Sequence, residues 1–434
     1  MSSAKNAISN VTTTVIMFPL SIISSIVVAR VLGAEGKGIY TYISVLSSFL
    51  IPLFSLGFIQ GVRFFIANKQ YTISDTLFSV LVNVVVISVL ISFGLLVLWK
   101  YGWLGKSAAG FVPGYMLLLV LLVFLKTFVL FSQGLLNSDG QFVFSNKQNL
   151  LIGIVTPLLI IPFALFFEDK IFGAALATTI AFVIISLNTI FFIIRKYQPS
   201  AKFNRLFVND AYVYGIKGWL GYVAINANTR LDRFLLGMSA SAKNLGNYSI
   251  ATSISELIWV LPNSIGPILF NEVAETTDQT KQIALLTRIT RLLMAAAIII
   301  GVVFVLVMNR VIPWLYGKEF TEAVIPLMIL VPGSVVMILT KSLTKLFSGT
   351  GKIVYSTYTQ VGGATFTIVL CFILIPLHGI IGAALASSIG YAVTSFIALY
   401  FYKTKYNGSL LSLIIIQRKD ISWALNQIKP FLNR

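Results

Sequence analysis

The sequence predicts an all-α polytopic membrane protein, with about 12 transmembrane helices in two pseudo-symmetric six-helix bundles around a central cavity. Three observations predict it. The chain of 434 residues is 57% apolar, 13% aromatic and only 11% charged, with a mean hydropathy of +0.91. A soluble globular domain carries roughly 25% charged residues, so this composition excludes a soluble enzyme, a disordered chain and a disulfide-rich secreted domain. Apolar runs of the length a bilayer requires, ~20 residues, recur between charged or turn-rich breaks. Finally, the chain echoes itself at an interval near 208 residues.

In order, the runs cover residues 9–29, 39–59, 77–98, 115–136, 150–167, 171–194, 213–236, 247–269, 292–312, 323–346, 355–377 and 380–402. The first is too long for a signal-peptide core, and Arg30 and Gly33 follow it where a small-residue cleavage site would stand, so it is expected to remain. Glu168-Asp169-Lys170 and Leu377-His378-Gly379 read as tight helical hairpins. Pro19, Pro52, Pro157, Pro162, Pro262, Pro267, Pro326 and Pro332 fall inside runs, where proline marks candidate helix breaks.

Two echoes give the repeat. Residues Ile171 to Ile180 (IFGAALATTI) return as Ile380 to Ile389 (IIGAALASSI), 209 positions later. Gly38-Ile39-Tyr40-Thr41 returns as Gly246-Asn247-Tyr248-Ser249, at an offset of 208. Six spans per copy is an even number, so both copies insert with the same orientation, related by an axis along the membrane normal. The expected organisation is an N-terminal bundle over 1–194, a cytoplasmic linker over 195–212, a C-terminal bundle over 213–402 and a tail over 403–434.

The net charge of +18 is first a statement about sidedness. With the N-terminus cytoplasmic, 19 Lys and Arg fall on the cytoplasmic side and 8 on the other. Both termini are therefore expected inside, and the basic excess calls for no nucleic acid. Arg30 and Lys37 fall among the outer residues. Five cations remain within spans: Lys126, Arg230, Arg233, Lys341 and Lys345. A Lys or Arg at mid-bilayer costs at least ~2.5–3.5 kcal/mol, so each must face water, meet a partner or reach an interface.

Depth separates these alternatives. Lys126 lies near mid-membrane, with no acid near it in sequence; it faces a cavity or hydrogen-bonds a neighbouring helix. Arg230 lies deep; it faces the cavity or pairs with Asp232. Arg233, Lys345 and Arg30, which the repeat sets beside Arg233, either snorkel or join the cavity. Lys341 sits in the cytoplasmic third. Arg230, Arg233, Lys341, Lys345, Lys126 and Arg30 are thus the candidate lining of a cationic lumen suited to an anionic cargo. The intramembrane carboxylates Asp232 and Glu256 either couple transport to a proton or sodium gradient or serve as counter-ions to the arginines.

No catalytic constellation or cofactor motif is present. A lone Cys371 and a lone His378 offer neither a disulfide nor a histidine-built metal site. There is no phosphate-binding loop of the Walker type, and the longest outer loop, 99–114, is too short for a catalytic domain. The tail alternates apolar and basic patches, from Leu410–Ile416 to Gln417-Arg418-Lys419-Asp420 and Trp423, and reads as an amphipathic helix on the inner leaflet.

The segment Ala29-Arg30-Val31-Leu32-Gly33-Ala34-Glu35-Gly36-Lys37-Gly38-Ile39-Tyr40 resembles the opening of Wzx-type polysaccharide-export flippases. Arg233-Phe234-Leu235-Leu236-Gly237, followed by Leu245-Gly246-Asn247-Tyr248-Ser249, resembles the start of their second half. The superfamily of these proteins also includes multidrug extruders and lipid II flippases. The resemblance implies a non-enzymatic protein of the bacterial inner membrane, with two six-helix bundles in a V. It implies a cargo of undecaprenyl-pyrophosphate-linked oligosaccharide, such as an O-antigen unit, moved from the cytoplasmic to the periplasmic leaflet. Membrane lipids, and a polysaccharide polymerase and chain-length proteins, are the partners it implies. A multidrug or cation antiporter is the alternative on the same fold, although such a cargo calls for an excess of buried carboxylates and the sequence shows the reverse.

Overall fold

A computed structural model describes residues 2–276, 278–417 and 419–420 of the chain. These residues form helices and connecting turns: α1 Ser2–Phe54, α2 Phe58–Ala67, α3 Ile73–Lys100, α4 Pro113–Ser138, α5 Phe142–Phe166, α6 Lys170–Tyr197, α7 Arg205–Ser239, α8 Ala242–Ser255, α9 Val260–Glu275, α10 Gln279–Leu315, α11 Val324–Gly349 and α12 Ile353–Tyr406. Backbone polar groups must be satisfied within each element in lipid, which is why helices are the solution.

Among the described residues, nine helical stretches are long and apolar enough to cross a membrane. Two of them are double. At a rise of about 1.5 Å per residue, α1 and α12 would each extend ~80 Å if straight, well over twice a hydrocarbon core of ~30 Å. Both turn at a glycine: Gly33 has φ 69° and ψ −177°, and Gly379 has φ 55° and ψ −126°. The turns are reversals. Lys37 Nζ lies 3.5 Å from Ser25 Oγ, whereas residues twelve apart in a straight helix are separated by ~18 Å. Gly382 likewise abuts the carbonyl of Leu374. Both α1 and α12 are thus folded in two, and α7 is a further, more polar helix of 35 residues.

Four departures from the expected boundaries appear. The loop expected over 30–38 is a single turn at Gly33. The span expected over 39–59 breaks after Phe54, where Leu56 and Gly57 both have positive φ, and continues as α2. The span expected over 247–269 is interrupted by a 3-10 segment, Glu256–Trp259, ahead of Pro262. The inter-bundle linker is shorter than 195–212, because α6 runs to Tyr197 and α7 begins at Arg205.

The connections gather at two ends. At one, Arg30 Nε donates to the Leu315 carbonyl at 2.8 Å, Ala34 N donates to Glu319 Oε2 at 3.0 Å, and Ser107 Oγ donates to the Ala240 carbonyl at 3.2 Å. At the other, Tyr71 Oη donates to Asp210 Oδ2 at 2.6 Å, and Thr350 and Tyr406 share a hydroxyl hydrogen bond of 2.5 Å. These two sets match the alternation of sides in the sequence reading. The descending tail folds onto α10: Leu413 is buried, and Asp420 meets Arg291 Nε at 3.2 Å and Arg288 Nε at 3.6 Å. Leu411, Ile414 and Ile415 remain exposed beside it. Residues 421–434 of the expected amphipathic tail lie outside the described residues.

The repeat shows in reciprocal contacts. A Cβ at Gly38 would collide with the Ala242 carbonyl, and one at Gly246 with the Ala34 carbonyl. Gly38 and Gly246 are the matching residues of the two copies, so α1 and α8 cross there at small-residue distance. Tyr40 Oη shares a 2.9 Å hydrogen bond with Thr178 Oγ1, and its counterpart Tyr248 Oη lies 3.3 Å from Ser387 Oγ.

Candidate functional site: a cation-lined cavity between the halves

A cavity of about 460 Å³ opens where the second pass of α1 faces α7, α8 and α11. Its α1 wall is a polar stripe on an otherwise apolar helix. Lys37, Thr41, Ser44 and Ser48 line it at spacings of four, three and four residues, the spacing of one helical face. Across from them stand Thr229, Arg230 and Arg233 of α7 and Ser249, Ser253 and Glu256 on and just past α8. Trp259, Asn263 and Lys341 also line it, with Tyr40 and Val45 beside the α1 stripe. The lining is therefore rich in hydroxyls and positively charged.

The charges divide into neutralised and free. Arg233 is engaged with Glu256 and also donates to the Thr229 carbonyl at 2.6 Å. Among the described residues, the hydrogen-bond partners of the other cations of the cavity are uncharged, with the Glu256 carboxylate within electrostatic reach of Arg230 and Lys341 but not paired to them. Arg230 Nη1 donates to Ser48 Oγ at 2.8 Å. Lys341 Nζ donates to Asn263 Oδ1 at 3.1 Å and stands 4.5 Å from the centroid of the Trp259 ring. Lys37 has Ser25 Oγ at 3.5 Å. Among the described residues, none of these three lies in an ion pair. In surroundings that cannot hydrate them fully, three unpaired cations are costly. They form a standing attraction for an anion in the space they enclose.

Asp232 is placed otherwise. It is buried behind the cavity wall, and Oδ2 accepts from Tyr248 Oη at 2.6 Å and from Ser387 Oγ at 3.0 Å, while Oδ1 accepts from the Arg233 backbone at 2.7 Å. It joins α7, α8 and α12. Glu256 is the more exposed carboxylate of the two, itself half-buried. It also borders a second cavity, of about 320 Å³, between the first pass of α1 and residues 253–260.

Of the sequence candidates, the structure brings Arg230, Arg233, Lys341 and Glu256 together around one space. Lys126 stands behind the α1 wall: Nζ donates to Ser47 Oγ at 2.8 Å, Ser44 Oγ at 3.2 Å and the Ser44 carbonyl at 3.3 Å. It reaches the cavity only through Ser44. Lys345 is half-buried, its stem against Gly266 of α9, and lies outside the lining. Arg30 also lies outside. It caps the C-terminal end of α10 by donating to the carbonyls of Leu315 and Trp314, acceptors that a helix end leaves open. Sequence reasoning missed Lys37, which it counted as an outer residue; the stripe Lys37-Thr41-Ser44-Ser48 within an apolar run was the available signal. Trp259 carried no such signal.

Residues 3–270 match the family described as "Polysaccharide biosynthesis protein". Among curated proteins, the chain is 28% identical to the probable flippase AglR of Haloferax volcanii over 193 residues, 43% of this chain and 40% of that one. It is 23% identical to the uncharacterized membrane protein MJ1068 of Methanocaldococcus jannaschii over 203 residues, 46% of this chain and 40% of that one. The chain thus spans about 40% of the length of the curated relatives it matches. Among solved structures, it is similar to an inward-facing multidrug resistance MATE-family transporter of the MOP superfamily, with a TM-score of 0.75 at 15% identity over 92% of this chain and 98% of that one. It is similar also to the lipid II flippase MurJ in an inward closed conformation, with a TM-score of 0.76 at 14% identity over 94% of this chain and 89% of that one. These likenesses show the fold, a two-lobed helical bundle, and the proteins that carry it are transporters rather than enzymes. With more than half of its length matched, this multi-pass membrane protein belongs to the polysaccharide biosynthesis protein family.

Proposed function

We propose that the protein is a flippase that carries an undecaprenyl-pyrophosphate-linked oligosaccharide, an O-antigen unit or similar surface glycan, from the cytoplasmic to the periplasmic leaflet of a bacterial inner membrane. Both termini are cytoplasmic in this reading, and a polysaccharide polymerase and chain-length proteins receive the product. The observation that carries it is the unpaired cation set Lys37, Arg230 and Lys341 around a hydroxyl-lined cavity. A sugar pyrophosphate has an anionic, hydroxyl-rich head, and bare polar groups in hydrocarbon cost several kcal/mol each (order of magnitude). The head therefore needs such a cavity, while the polyprenyl tail stays in lipid. The family match and the name of the Haloferax relative support the same reading. The likeness to multidrug transporters favours an antiporter as the second reading, but a cationic cargo would meet repulsion here.

Coupling to a proton or sodium gradient belongs to this reading, through Glu256, whose carboxylate borders the cavity. Reconstituted vesicles loaded with a fluorescent pyrophosphate-linked glycolipid test the whole. Replacing Lys37, Arg230 or Lys341 by Gln should weaken cargo binding by on the order of 10-fold each, the size of one charge-assisted hydrogen bond. Unchanged flipping in the triple variant at equal abundance would overturn the reading.

A further inference from the structure

We propose that the indole of Trp259 is a stacking platform for a sugar ring, capped by Lys341 until the anionic group of the cargo draws the ammonium away. The inference rests on the reading of the protein as a carrier of a sugar pyrophosphate, and it adds the subsite for the sugar beside the phosphate. Trp259 closes the 3-10 segment between α8 and α9. Its Nε1 donates to the Ser334 carbonyl at 2.9 Å, and Tyr391 meets it at 5.3 Å in an edge arrangement. These two contacts fix the ring, which lines the cavity yet is only 4% exposed. Lys341 Nζ stands over its face, 4.5 Å from the centroid.

An indole face carries negative electrostatic potential, which attracts a cation and equally the C–H face of a sugar. Ammonium and sugar cannot occupy the same face at once. The hydrogen bond of Lys341 goes to the neutral Asn263 Oδ1, and phosphate oxygens are stronger acceptors than an amide. Arrival of a phosphate near Arg230 and Lys341 therefore bares the indole and releases the Asn263 amide in one movement. Asn263, Ser253, Ser249 and Thr229 then supply donors and acceptors for sugar hydroxyls within the same cavity. Phosphate and sugar sites are consequently cooperative: the head group binds as a unit, and an anion without a sugar leaves the platform empty.

Tryptophan quenching by acrylamide on the purified full-length protein tests the cap. The difference between wild type and Trp259→Phe isolates this residue among the six tryptophans. Saturating inorganic pyrophosphate should raise quenching at Trp259. In Lys341→Ala, quenching should be high from the outset and indifferent to pyrophosphate. Binding of farnesyl diphosphate and of farnesyl-diphosphate-linked N-acetylglucosamine tests the platform. The sugar-bearing probe should bind on the order of 10-fold tighter in wild type, a usual size for coupled sites. That preference should survive in Trp259→Tyr and vanish in Trp259→Leu. Bound pyrophosphate that leaves Trp259 quenching unchanged in wild type would overturn the cap, and an undiminished preference in Trp259→Leu would overturn the platform. If pyrophosphate fails to displace farnesyl diphosphate from wild type, the anionic-cargo reading falls, and this inference with it.

Discussion

The carboxylates Asp232 and Glu256 are placed differently, and single substitutions separate the roles proposed for them. Asp232 accepts hydrogen bonds from Tyr248 and Ser387 in a buried setting. Asp232→Asn keeps one acceptor oxygen but sets an amide donor against hydroxyls, so stability should fall by about 1–3 kcal/mol. A thermal unfolding curve of the purified variant checks this, and any flipping that remains should still respond to an imposed gradient. Glu256→Gln should give a different pattern: flipping that no longer responds to proton or sodium gradients, alongside the stability lost with the ion pair to Arg233. Lys126 is a third case. Its ammonium spans to Ser44 and Ser47, so Lys126→Gln should loosen α4 from α1, and its unfolding temperature should fall together with activity. Charge and depth alone made all of these residues legible as candidates. What they could not give is direction, since a side chain one helical step around the same span faces the cavity, the core or a neighbouring helix.

At the scale of elements, two glycine reversals make the topology. The conformation of Gly33 is open almost only to glycine, and a side chain there costs about 1–3 kcal/mol. Gly379 is subject to the same penalty. Gly379→Ala should therefore lower stability by an amount of that order, whereas the neighbouring exposed His378→Ala should change little; paired denaturation curves distinguish them. The hairpin at Leu377-His378-Gly379 was readable because a glycine follows a polar residue between two apolar runs. The break at Glu256–Trp259 was less so: Pro262 and Pro267 signalled an irregularity, but most of the other span prolines sit in continuous helix. Proline in a membrane helix can be satisfied by its neighbours, and sequence does not reveal those neighbours.

For the whole molecule, the end carrying Arg30, Ala34 and Ser107 is closed by contacts between the halves. Alternating access requires that these contacts part. Cysteines replacing Ser107 and Ala240, joined by a short bifunctional thiol reagent, should arrest flipping, and cleavage of the linker should restore it. Flipping that continues through the cross-link would mean that this end does not open. The repeat in sequence announced two halves related by an axis. It left open which helices meet at that axis, because hydropathy records burial from water and not the identity of the partner.

The crossing of Gly38 with Gly246 supplies that partner and is self-complementary. A residue touching its own counterpart, with Ala34 and Ala242 exchanged across the contact, is the arrangement of an isologous interface. Each half presents on this one face the surface that its counterpart requires. Away from the crossing the two halves diverge. The carboxylate of Asp232 joined to Tyr248 and Ser387 is such a divergence, for the pair Tyr40 and Thr178 stands in the other half with only a hydroxyl contact between them.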